Sequence, residues 1–166
     1  MKVKFFCPLW GREGQAFGNF CRDVKAGGYD GVEMSLPSDK AERESRLEVL
    51  EKSGLLLIAQ HWETSDSDFP AHEEAYEQRL HILAEAKPLF ISSQTGKDWF
   101  SFEQNLQLIL AAERIAEETG VTILQETHRG KFSFAAHITL PYMRALGELR
   151  LTLDIESLVH RSRILP

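Results

Sequence analysis

The chain has 166 residues, 43% of them hydrophobic and 27% charged, with a net charge of −6 at pH 7, which suits one domain with a core of its own and the ordinary balance of a globular protein. The acidic balance argues against a general nucleic-acid binder, which would carry a basic footprint. Two cysteines, Cys7 and Cys21, make no disulfide framework, so a reduced, cytoplasmic setting is expected.

No run approaches the ~18 apolar residues of a membrane span, and the basic start MKVKFFCPLWGREG reads as a first strand rather than a signal peptide. Val3–Leu9 is strand-like and closes at Trp10-Gly11. Gly14–Lys25 has Phe17, Phe20, Cys21 and Val24 at helical spacing, and Gly27-Gly28 ends it. Gly31–Leu36 is a second strand with Glu33 near its end. Asp39 then caps a helix, with Glu42 at capping-pair spacing, and Gly54 closes it.

Leu55–Trp62 is a third strand, with Leu57, Ala59 and His61 on one face. Asp68 caps the next helix and Pro70 fits its first turn. Pro88–Gly96 is a fourth strand whose Phe90, Ser92 and Gln94 share a face. Ser101 with Gln104 is a capping box opening an amphipathic helix that ends at Gly120.

Val121–Gly130, VTILQETHRG, begins as a buried strand and turns polar. Side chains alternate across a strand, so Thr122, Leu124, Glu126 and His128 lie on one face. A carboxylate and an imidazole therefore sit together at the C-terminal tip of a strand, the end where α/β proteins bind ligands. Phe134–Leu146 is a helix that Pro141 should bend or restart. Leu149–Ile155 is a sixth strand, with Arg150, Thr152 and Asp154 on one face.

Strand and helix thus alternate five times before the last strand, which predicts parallel strands joined by right-handed crossovers in a single domain, 1–166. Polar strand-end residues Glu33, His61, Gln94, Glu126 and Asp154 recur at intervals of 28, 33, 32 and 28. The expected fold class is α/β: six parallel strands with five connecting helices.

The segments GVEMSLP, LLLIAQHW, FISSQTGKDWFS, ILQETHRGKFS and LTLDI, in this order and spacing, resemble the xylose isomerase-like TIM-barrel superfamily from Lys2 to Ile155. The nearest branch is that of sugar phosphate isomerases and epimerases, and apurinic endonucleases form a more distant one. The resemblance implies a metal-dependent sugar or sugar phosphate isomerase or epimerase, moving a proton next to a carbonyl. It assigns Glu126 as first metal ligand and acid–base group, Asp154 as second ligand, and His61 as a catalytic residue near substrate or metal. Trp10, Glu33, Trp62, His128 and Arg129 are its substrate-binding residues. The ion would be Mn²⁺, Mg²⁺ or Zn²⁺, and the partner a small sugar or sugar phosphate, not nucleic acid or membrane.

An eight-fold barrel of this type needs about 240 residues. The resemblance therefore implies a C-terminally truncated barrel lacking strands seven and eight and the third and fourth ligands. Metal binding would then be weak or absent. Glu156–Pro166 does not read as the family's continuation. Gln94 stands where the endonuclease branch has histidine, which makes a nuclease the least favoured reading. An open six-stranded sheet leaves two unpaired edges, so a homo-oligomer is expected, if need be a catalytically inactive one.

Overall fold

The computed structural model describes residues 2–155, so the reading of 156–166 lies outside the described residues. Six parallel strands form one sheet in the order β1-β2-β3-β4-β5-β6: β1 (Phe6–Pro8), β2 (Gly31–Met34), β3 (Leu56–His61), β4 (Phe90–Ser93), β5 (Ile123–Glu126) and β6 (Leu151–Thr152). Between them run α1 (Phe17–Ala26), α2 (Lys40–Ser53), α3 (Phe69–Glu85), α4 (Phe102–Thr119) and α5 (Ala136–Leu146). The sheet curls into a partial TIM-type barrel with the helices outside.

The capping residues act as their spacing suggests. Asp39 accepts from the Glu42 amide at 2.8 Å and Asp68 from Ala71 at 3.2 Å. Ser101 and Gln104 exchange both capping-box bonds, at 3.2 and 2.9 Å. The Glu42 carboxylate does not reach back to its cap; it pairs with Arg46 at 2.6 Å, one turn on. Gly54 and Gly120 close α2 and α4 in the left-handed conformation, which a glycine adopts without a Cβ penalty.

Two helices differ from expectation. The helix predicted from Gly14 starts at Phe17, because Arg12 to Gln15 are tied in a turn by a Gln15 amide to Arg12 carbonyl bond of 3.0 Å. Pro141 neither breaks nor restarts α5, which runs unbroken from Ala136 to Leu146. The carbonyl that a proline leaves without its donor is four residues back, on His137, which is exposed to water.

The main core lies between sheet and helices, where Val32, Met34, Leu57, Ala59, Ile91 and Ile123 meet Phe20, Tyr76, Leu80, Leu83, Leu108 and Ile115. The alternate residues point into the barrel. β2 is packed tightly between β1 and β3 at Gly31, where a Cβ would lie 2.3 Å from the Leu56 carbonyl oxygen and 2.5 Å from the Phe6 ring. Only a residue without a side chain fits there.

Candidate functional site

The parallel register sets which side chains meet. Ser92 lies beside Gln60 on one side and Leu124 on the other, and Glu126 lies beside Thr152. Glu33, Gln60, Ser92, Gln94 and Glu126 therefore share the inner face at the C-terminal end of the strands. Glu33, Gln60, Gln94 and Glu126 form the floor of a cleft of about 790 Å³, and Ser92 is buried. Trp10, Trp62, His128, Arg129 and Asp154 stand around it. Trp10 and Trp62 are 81% and 55% exposed, so these rings stand open at the cleft rather than packing in the core.

Glu126 is held by both oxygens. Ser92 donates its hydroxyl to one at 3.1 Å and Gln94 its amide to the other at 3.0 Å. Across the floor the device is repeated, with Gln60 donating to Glu33 at 3.1 Å. Burial raises the Glu33 carboxyl above its ordinary value, and the nearby Glu126 charge raises it further against the opposing pull of the Gln60 bond.

Glu126, His128 and Asp154 each present a ligand atom within 4.8 Å of the others. The His128 Nδ1 lies 2.8 Å from the Arg129 carbonyl oxygen. A donated Nδ1–H there leaves Nε2 with the lone pair that a metal needs. The Thr127 hydroxyl accepts the Asp154 amide at 2.9 Å, tying the end of β6 to β5. Two carboxylates and an imidazole suit a divalent cation such as Mn²⁺, Mg²⁺ or Zn²⁺. By resemblance the sequence assigns His128 to the substrate, whereas here it joins the two carboxylates; its place on the Glu126 face by strand alternation is the signal for a third donor.

His61 requires a correction. It is not at the cleft. It sits on the outer face of β3 beneath α3, 1% exposed. Its Nδ1 lies 3.0 Å from the Ser93 hydroxyl, its Nε2 lies 2.7 Å from the Thr64 hydroxyl, and its ring meets Tyr76 edge-on at 5.0 Å. Burial lowers its pKa to about 3. The interior residue at this level is its neighbour Gln60. Both faces of a barrel strand are buried, so apolar patterning could not tell which of the two looks inward.

A second polar group lies on the outer side of the rim. Glu63 takes an ion pair from Arg79 at 2.7 Å and a hydrogen bond from Ser35. Burial opposes its ionisation, but these bonds and the Trp62 amide hold its carboxyl below the usual range. Lys97 and Lys131 are both buried. Burial first, then the neighbouring Lys97, brings Lys131 down to about 8.

No family model matches the chain, and no curated protein matches it. Solved structures do. The 3-keto-D-glucoside 4-epimerase of E. coli superposes with a TM-score of 0.68 at 16% identity, over 98% of this chain and 76% of that one. The D-allulose 3-epimerase of Methylomonas sp., solved with D-allulose, gives 0.70 at 16% identity over 95% of this chain and 64% of that one. A xylose isomerase-like TIM-barrel protein of Mycobacterium smegmatis, solved with magnesium, gives 0.62 at 11% identity over 94% and 66%. The chain thus shares the fold of these barrels and spans about two thirds to three quarters of their length.

Proposed function

We propose that this chain is a metal-dependent sugar or sugar phosphate isomerase or epimerase. The observation that carries the reading is the joining of Glu126, His128 and Asp154 at one rim of the cleft. A divalent cation bound there would stabilise the oxyanion that forms when a proton leaves the carbon beside a carbonyl. Glu126, whose carboxylate is held by Ser92 and Gln94, would take that proton. Arg129, at the cleft wall, offers a fork of donors for a hydroxyl or phosphate oxygen, and the two exposed tryptophans offer faces for a sugar ring. Cys7 and Cys21 are free thiols, in keeping with a cytoplasmic setting. Among the described residues, no helix is long and apolar enough to cross a membrane.

The test is exchange in D₂O. After chelation and dialysis, the chain is offered ketohexoses, their phosphates and 3-ketoglucosides with and without Mn²⁺. Deuterium entering the carbon beside the carbonyl only when Mn²⁺ is present is the expected result. Metal-independent exchange would exclude the metal role, and no exchange with any sugar would exclude the proton transfer.

The alternative is an inactive partial barrel that assembles with copies of itself. Among the described residues β1 and β6 each leave one edge unpaired. Val3 and Phe5 near the first edge and Leu153 and Ile155 near the last are 57% to 69% exposed. Such edges invite pairing with another chain. Sedimentation at micromolar concentration is expected to give a dimer or larger species, and a monomer would remove this reading.

A further inference from the structure

We propose that Arg79 is a positioning residue: acting through Glu63, it fixes where the Trp62 ring stands at the cleft wall and so sets how tightly a sugar is held. The inference rests on the reading above that the cleft takes a sugar, and it adds a determinant of affinity that lies outside the cleft. Trp62 follows β3, lines the cleft and is more than half exposed. A ring with half its surface in water has little packing to hold it, so its place follows from its backbone. That backbone is held by the next residue. The Trp62 amide donates to Glu63 Oε2 at 3.0 Å. Glu63 Oε1 takes the Arg79 ion pair at 2.7 Å and the Ser35 hydroxyl.

Arg79 lies on α3 and is buried. Its Nη2 divides its hydrogens among Glu63, the Ser35 oxygen at 2.9 Å and the Leu36 carbonyl. Ser35 and Leu36 follow β2, and Ser35 lines the cleft as Trp62 does. One nitrogen of a buried side chain thus joins two strand ends that both carry cleft wall. Its Nε and Nη1 are buried with no partner among the described residues. Donors left so make a buried ion pair a weak source of stability. What the pair supplies is a fixed relation between the ends of β2 and β3. A ring already in place when a ligand arrives loses less freedom on binding. Neither Arg79 nor Glu63 lines the cleft or joins the metal-type cluster, so the effect should fall on binding and not on proton transfer.

The experiment measures sugar affinity by titration calorimetry and exchange in D₂O, both with Mn²⁺, in the unsubstituted chain, Arg79→Met, Trp62→Leu and the double variant. The probe is whichever of D-allulose, D-fructose and a 3-ketoglucoside the unsubstituted chain binds most tightly. Arg79→Met is expected to raise its Kd about tenfold, the order of a coupling within one bonded network. Exchange at saturating sugar is expected to stay within about threefold. In the Trp62→Leu background the same substitution is expected to change Kd by less than about twofold. A residue that only supports the fold would weaken binding equally in both backgrounds. Glu63→Gln, which removes the charge of the pair, enters the same cycle if Arg79→Met does not fold. An unchanged Kd in Arg79→Met, an equal rise in both backgrounds, or a loss confined to exchange at saturation overturns the Arg79 assignment and leaves the Glu126 chemistry standing. Sugar binding without exchange overturns the proton transfer, and the Kd cycle still decides Arg79. Neither binding nor exchange in the unsubstituted chain overturns both.

Discussion

Glu126→Gln removes the stabilisation that Mn²⁺ or Mg²⁺ gives the unsubstituted chain. A metal held at a hundred times its dissociation constant stabilises a fold by about 2.7 kcal/mol. For a domain of this size that is a rise of roughly 5–10 °C in melting temperature. Glutamine keeps the shape of the side chain, so the Ser92 and Gln94 contacts at 3.1 and 3.0 Å can largely survive. It lacks the charge that makes the group a ligand beside His128 and Asp154. It also lacks the basicity to accept a proton, so exchange at the substrate carbon should fall with it, by about 10²–10⁴-fold. Scanning calorimetry with and without metal reads the first effect and deuterium incorporation the second. An equal metal response in the variant would show that the ion binds elsewhere.

Acid should unfold the protein through His61. Its folded pKa is about 3 against an ordinary value of 6.5, with burial the largest cause. Between those values the unfolded chain binds a proton that the folded chain refuses. The stability tied to the neutral ring is therefore whole above pH 6.5 and is lost progressively as pH falls toward 3. At 1.36 kcal/mol per pKa unit the full loss is on the order of 5 kcal/mol, a large part of a typical domain's stability. His72, also lowered by burial, adds in the same direction. Urea melts at pH 7, 5 and 4 measure the slope. His61→Gln removes the titrating ring and should flatten it, although the variant starts less stable at pH 7 because Ser93 and Thr64 lose partners. An unchanged slope would mean that other groups govern acid unfolding.

The order of elements was legible because each helix announces its ends. Asp39, Asp68 and Ser101 open helices, and Gly54 and Gly120 close them. The Glu126–Asp154 meeting was legible too, since strand alternation and the repeat spacing put both on inner faces of neighbouring strands. His61 against Gln60 was not. They are adjacent in a strand buried on both sides, and only the register of β3 against β4 decides which looks inward. The carboxylate–amide pairs of the floor were also hidden, because Gln60 and Gln94 meet Glu33 and Glu126 only once the strands lie side by side. The lengths of β1 and β6 were overread. Among the described residues each pairs on one side only, so fewer residues join the ladder than the apolar pattern suggests.

Gly31 sits at the foot of β2, two residues below Glu33. Its missing side chain lets the Leu56 carbonyl from β3 and the Phe6 ring from β1 lie against its backbone. Any larger residue would push β2 away from its neighbours and shift the Glu33 carboxyl from the Gln60 amide that holds it. Damage at the base of the molecule would then surface as a misshapen cleft at the top, in a protein that still looks well folded.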